Sequence, residues 1–224
     1  MEKITAMGID YDINTIDEEW TGISDELSFW ADFVKTDRFL NGWVADIKTP
    51  ELNDFVALFI SMQNPGKVLD VGSGVVSILN GLLPSEKIVA VDPLGDRYKT
   101  IFDYEKYHIQ PPIPARGEEV AYKEEFDIVH MSNALDHTQD PYLVYDNLYR
   151  SVKPGGFLIL QGFENEGQAQ KYQGMHQWDI FADGRTLWIG KEKEKAVLAR
   201  SNYMQTKIIA TEQGRNWFIW ITKK

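Results

Sequence analysis

Val68-Leu69-Asp70-Val71-Gly72-Ser73-Gly74 is the stretch that decides the fold. Its short, largely apolar run has the length and character of a strand buried on both faces. The glycines that follow permit a sharp turn and let backbone approach a ligand, because no Cβ stands in the way. Ile88-Val89-Ala90-Val91-Asp92 then repeats the pattern as a second short strand that ends in an acid. A carboxylate at such a tip can accept hydrogen bonds from both hydroxyls of a ribose. A glycine turn after one strand and an acid after the next together point to a nucleoside-bearing ligand.

The texture on either side agrees. Residues 75–83 suit a helix closed by Pro84, and Tyr98 to Tyr107 suit another. A loop with Pro111, Pro112 and Pro114 leads to a third strand candidate near Ala115. Phe126-Asp127-Ile128-Val129-His130-Met131 is a further strand, and Asp140-Pro141 opens a helix to about Ser151. Lys153-Pro154-Gly155-Gly156 is a turn into the strand Phe157-Leu158-Ile159-Leu160-Gln161. Alternating strands and helices predict an α/β fold: a three-layer, Rossmann-like sheet of about seven strands, mostly parallel. Thr206 to Thr211 and Asn216 to Thr222, joined by Gln213-Gly214-Arg215, add an antiparallel hairpin at the C-terminus.

Residues 1–64 read as an aromatic-rich helical cap. Cap-like polar residues precede apolar ones in Ile16-Asp17-Glu18-Glu19-Trp20 and in Ser24 to Trp30. Asn53 and Asp54 precede Phe55, Val56, Leu58, Phe59 and Ile60, and Asn64-Pro65-Gly66 stops that helix. Residues 65–224 form the main domain, with a substrate-side insertion at about 163–190 that carries a hairpin around Asp183-Gly184. Residues 192–200 read as a helix whose solvated face is Lys191-Glu192-Lys193-Glu194-Lys195.

Composition narrows the function. With 23 Lys+Arg against 34 Asp+Glu, the net charge of −11 repels nucleic acid, whose binders rely on phosphate neutralisation. There are no cysteines, which excludes disulfides, thiolate metal sites and cysteine nucleophiles. No apolar run approaches the roughly 18–20 residues of a membrane span. Met1-Glu2-Lys3-Ile4 does not open a secretory signal. A cytoplasmic protein is expected.

The dinucleotide fingerprint requires a third glycine, whereas Val75, Val76 and Ser77 follow Gly74. The order Asp70-x-Gly72-x-Gly74 instead resembles motif I of class I methyltransferases that use S-adenosylmethionine (SAM), a resemblance that extends over roughly residues 65–162. It implies that the turn of Asp70, Gly72, Ser73 and Gly74 meets the methionine part of SAM, and that Asp92, followed by Pro93, meets the ribose. It places Glu118 or Glu119, in Gly117-Glu118-Glu119, at the adenine amino group. Phe126-Asp127-Ile128-Val129 with Asn133-Ala134-Leu135-Asp136-His137 resembles the fourth-strand motif, which adds Asn133 to the cofactor set. Lys153-Pro154-Gly155-Gly156-Phe157 resembles the turn into the fifth strand. Val76 departs from the pattern, since many members have glycine there. The stretch between Gly117 and Phe126 is also short. Tyr107 to Pro112 and Glu164-Asn165-Glu166-Gly167 through Gly174-Met175-His176-Gln177-Trp178 resemble bacterial methyltransferases associated with surface-polysaccharide gene clusters.

Methyl transfer from a sulfonium needs the acceptor held about 3 Å from the methyl group and, for a hydroxyl, a proton acceptor. His137 follows the fourth strand at the edge where ligands bind, and His176 lies in the insertion. They are the catalytic candidates, as general base or acceptor-orienting groups. The alternatives are a loop histidine that caps a helix and a surface histidine beside Trp178. His130 reads as a core residue, His108 as exposed and Asp127 as structural. Asp136 beside His137 raises a metal site, but two adjacent residues show no third ligand, and metal-independence is expected. Tyr11, Trp20, Trp30, Phe33 and Trp43 form either an acceptor-covering cap or core.

The expected function is SAM-dependent methylation of a small polar acceptor, a hydroxyl of a sugar or sugar precursor, with S-adenosylhomocysteine as product. An NAD(P)-dependent oxidoreductase and a non-catalytic partner subunit with a SAM fold are the alternatives. Met131-Ser132-Asn133-Ala134 lacks the Asn/Asp-Pro-Pro-aromatic motif used on flipped bases, which again speaks against nucleic acid.

Overall fold

The computed structural model describes residues 3–6, 9–12, 22–44, 52–211 and 214–224, with side chains described from residue 22 onward. The segment 13–21, which includes Trp20, lies outside the described residues, and Tyr11 is described only in its backbone. The chain falls into two compact units, 1–116 and 117–224.

The first unit begins with an antiparallel pair, β1 (Lys3–Ala6) and β2 (Ile9–Asp12), where sequence reading expects helix. Helix α1 (Ile23–Phe33) and helix α2 (Asp54–Gln63) follow. Asn53 caps α2 by accepting from the Phe55 N–H at 2.9 Å, and Asn64 ends it in a left-handed conformation. Strands β3 (Val68–Val71) and β4 (Ile88–Val91) pair in parallel, Val68 opposite Ile88 and Val71 opposite Val91.

Residues 75–83 form no helix. Val75, Val76 and Leu79 are all buried, so the segment lacks the exposed face of an amphipathic helix. Its polar side chains make competing bonds: Ser77 Oγ donates to Asp70 and accepts from the Leu79 N–H, while Asn80 donates to the Trp43 carbonyl. The helix expected over 98–107 is two single turns, Gly95–Tyr98 and Tyr104–Tyr107, the second capped by Asp103. The third strand candidate shrinks to one bridge between Val91 and Ile113. Pro111, Pro112 and Pro114 lack N–H donors, so a ladder cannot extend there.

In the second unit, β5 (Phe126–Ser132) runs parallel to β6 (Val152–Phe163). Helix α3 (Pro141–Ser151) connects them. Asp140 accepts from the N–H groups of Tyr142 and Leu143, and Pro141 occupies the first turn. The expected C-terminal hairpin is present as β10 (Lys207–Ala210) and β11 (Asn216–Lys223), with β11 antiparallel to β6. One six-stranded sheet has the order β10-β11-β6-β5-β3-β4. The want of a ladder near Ala115 accounts for six strands where about seven are expected.

The insertion holds a separate three-stranded antiparallel sheet: β7 (Asp179–Asp183), β8 (Thr186–Lys191) and β9 (Glu194–Arg200). The β7–β8 hairpin turns at Gly184, as expected. Strand β9 replaces the helix expected over 192–200. Its Glu, Lys, Ala and Leu residues favour helix intrinsically, but pairing of β9 with β8 and burial of Leu198 and Ala199 override that weak preference. Among the described residues, no helix is long and apolar enough to cross a membrane.

Candidate active site

In the first unit the turn after β3 is built from backbone. Gly72 and Gly74 have φ of 68° and 65°, a region L side chains rarely adopt. The N–H groups of Gly72 and Ser73 donate to the Val91 carbonyl at 2.8 and 3.2 Å, which ties the turn to the tip of β4. The Gly74 N–H donates to Asp92 Oδ2 at 2.9 Å, and the Leu94 N–H donates to Asp92 Oδ1 at 3.0 Å. The motif's second glycine and its acid are therefore bonded to each other.

Asp92 is buried. Desolvation, the largest influence, pushes its carboxyl up to about 6 against the two backbone N–H groups, and the charge of Glu26 adds to the rise. The Tyr98 hydroxyl also bonds to this carboxylate; burial, then the Asp92 charge, raises the phenol well above its ordinary value. A carboxylate offers about four lone-pair directions. Gly74, Leu94 and Tyr98 take three of them.

Trp30 of α1 covers the turn. A Cβ added at Gly74 would lie 2.4 and 2.6 Å from carbons of the Trp30 ring, so only glycine fits beneath it. The Trp30 indole donates to Glu26 at 2.8 Å and packs edge-on against Tyr98. Phe33, Phe39, Trp43 and Phe102 continue the aromatic cluster. Trp30 is thus a turn-covering residue, while Phe39 and Trp43 are core. Asp70 is buried and accepts from Ser77 at 2.5 Å, so this bond fixes the turn from behind. Pro93 is half-buried in the loop after β4.

In the second unit, Glu118 Oε1 accepts from the N–H groups of Gln139 and Asp140 at 2.8 and 3.1 Å, at the start of α3. Its other oxygen, Oε2, is buried and has no partner among the described residues. Glu119 sits beside it, half-buried, in the same turn. Asn133, with φ of 49°, accepts from the Phe163 N–H at 3.2 Å and donates its own N–H to Gln161 at 2.8 Å. It links the ends of β5 and β6. His130 is buried and paired with Gln161 at 2.9 Å, and His108 is exposed. Asp127 is paired with Lys153 at 2.8 Å.

The structure brings together His137 and His176, which lie 39 residues apart. His137 Nε2 is 3.1 Å from His176 Nδ1, which is 2.7 Å from Asp136 Oδ2. Asp136 is buried and the two rings are half-buried. The loop that follows β5 is clamped to the insertion: the Gln177 N–H donates to the Asp136 carbonyl at 2.9 Å, and the Trp178 indole donates to the Thr138 carbonyl at 2.8 Å. Asp179 in turn holds the insertion by accepting from the Gln168 N–H and the Tyr172 hydroxyl, each at 2.7 Å.

Residues 46–199 match a family described as methyltransferase domain. The chain belongs to that family. This methyltransferase domain is similar in fold to the N-methyltransferase NodS from Bradyrhizobium japonicum, solved with S-adenosyl-L-homocysteine. The TM-score is 0.51 at 10% identity, over 89% of this chain and 98% of that one. It is also similar to 1,6-didemethyltoxoflavin-N1-methyltransferase from Burkholderia thailandensis, with a TM-score of 0.51 at 12% identity, over 99% and 93% of the two chains. The chain spans about half (49%) of the YcgJ protein from Bacillus subtilis, at a TM-score of 0.39 and 18% identity over 48% of this chain. No protein of curated function matches the sequence.

Sequence reasoning missed Tyr98 and Glu26 beside Asp92, and it missed that Asp136 and His176 meet. No spacing rule reveals such pairs, because each joins different elements of the methyltransferase domain. The expectation of metal-independence rested on the want of a third ligand, and the structure brings a third ligand-type atom, on His176, beside Asp136 and His137.

Proposed function

We propose that this methyltransferase domain transfers a methyl group from SAM to a small polar acceptor, a hydroxyl of a sugar or sugar precursor, and releases S-adenosylhomocysteine. The observation that carries the donor assignment is Glu118 Oε2, a buried acceptor left without a donor. An unsatisfied buried polar group costs about 1–3 kcal/mol or more, a cost that a donor brought to this oxygen would recover. The adenine amino group supplies such a donor. Asp92 accepts one ribose hydroxyl, and the backbone of Gly72, Ser73 and Gly74 lines the methionine end. Asp70 and Asn133 shape their loops, Glu119 flanks the adenine, and Pro93 fixes the loop that carries Asp92.

Residues 1–64 act as the cap, residues 65–224 as the catalytic domain and the insertion at 163–190 as the acceptor side. His137 and His176 stand there to orient the acceptor hydroxyl and receive its proton. The resemblance that sequence reading draws between the insertion and polysaccharide-cluster enzymes supports a small polar acceptor, and the acidic net charge speaks against nucleic acid. The retained glycine turn and Asp92 favour a donor-binding enzyme over a non-catalytic subunit, and the missing third glycine speaks against NAD(P). Calorimetric titration with S-adenosylhomocysteine tests the donor: one site per chain is expected, weakened at least about tenfold in Glu118→Gln, the equivalent of about 1.4 kcal/mol. Absence of binding removes the proposal.

A further inference from the structure

We infer that Asp136, His137 and His176 form a binding site for a first-row divalent metal ion on the acceptor side of the domain. Three ligand-type atoms converge there: Asp136 Oδ2, His137 Nε2 and His176 Nδ1, separated by 2.7, 3.1 and 3.5 Å. At metal–ligand bonds of about 2.1 Å, neighbouring ligands lie about 3.0 Å apart around an octahedral ion and about 3.4 Å apart around a tetrahedral one. The observed triangle spans that range. A point about 2.1 Å from all three atoms exists and lies about 1 Å out of their plane. The corresponding height is about 1.2 Å for an octahedral face and about 0.7 Å for a tetrahedral one. The spacing of the three atoms is therefore that of ligands to one ion.

A dication satisfies all three lone pairs at once and compensates a buried carboxylate that is otherwise costly. Two imidazoles and one carboxylate suit zinc, iron, cobalt or manganese better than calcium or magnesium. The clamps from Gln177 to Asp136 and from Trp178 to Thr138 hold the ligand loops in register, as surrounding bonds do in metal sites. On the methyltransferase reading, on which this role alone rests, an ion held by these three residues would bind the acceptor hydroxyl and lower its pKa, so that solvent water takes the proton as oxygen gains the methyl group and the donor's sulfur–methyl bond breaks.

The test is titration of chelator-dialysed full-length protein with Co2+, followed by visible absorption and by hyperfine-shifted NMR. One ion per chain and two shifted imidazole N–H signals are expected, out of four histidines. Asp136→Asn, His137→Ala and His176→Ala should each weaken binding about 100-fold or more, while His108→Ala leaves it unchanged. Circular dichroism checks folding, and the wild-type signal count decides the matter should the variants unfold. No binding, or binding with fewer than two histidine signals, overturns the site. S-adenosylhomocysteine titration of the same samples separates the two proposals: donor binding without metal binding sinks the metal site alone. Metal binding without donor binding sinks the methyltransferase reading alone.

Discussion

Gly74→Ala probes how the glycine turn and its Trp30 cover depend on each other. Two penalties combine. The new Cβ must occupy φ of 65°, a left-handed conformation that costs an L residue about 1–2 kcal/mol. It also meets Trp30 carbons at 2.4 and 2.6 Å, so the ring must leave. Leaving forfeits the indole bond to Glu26 and the edge contact with Tyr98, together about 2 kcal/mol for a half-buried ring. The variant should lose about 3–4 kcal/mol in all. In a Trp30→Ala background the steric part is already spent, and Gly74→Ala should cost only about 1–2 kcal/mol. Urea unfolding by circular dichroism of the four proteins measures the difference. A coupling energy of about 2 kcal/mol is expected. Equal costs in both backgrounds, within about 0.5 kcal/mol, would refute the placement of Trp30 over the turn.

The raised Asp92 carboxyl has a signed consequence. Below its unfolded value of 3.8 both states hold the proton. Between there and about 6 the folded chain holds it more tightly, so this group's contribution to stability falls as pH rises through that window. The total is about 3 kcal/mol by pH 7. Carboxyl carbon NMR should find one aspartate with a midpoint near 6 that disappears in Asp92→Asn, and an ordinary midpoint would contradict the burial described. Asp179→Ala removes the acceptor for Gln168 and Tyr172 and should cost about 2–4 kcal/mol, with faster hydrogen exchange over 166–178. Unchanged exchange there would show that Asp179 does not anchor the insertion. Lys153→Ala, by contrast, breaks a half-exposed pair and should change stability by no more than about 1 kcal/mol in thermal unfolding. A larger loss would assign Asp127 a role beyond the strand's start.

Local pattern was enough for several elements. Strands β3, β4 and β5 are short apolar runs with turn residues at their ends, and α3 announces itself through Asp140-Pro141. The C-terminal hairpin and the turn at Gly184 are local as well. These features depend on side-chain period and backbone freedom within a few residues, which a single chain displays openly. Other outcomes required the folded chain. Strand β9 forms because β8 offers a partner, and residues 75–83 stay irregular because Ser77 and Asn80 find Asp70 and Trp43. The same holds at the site. Gly72, Gly74 and Asp92 could be read from sequence, but the bond between Gly74 and Asp92, the cover of Trp30 and the meeting of Asp136, His137 and His176 could not. Contacts between residues 18 to 44 positions apart arise only after loops close. Loop closure is decided by the packing of the whole chain and leaves no periodic trace in any one segment.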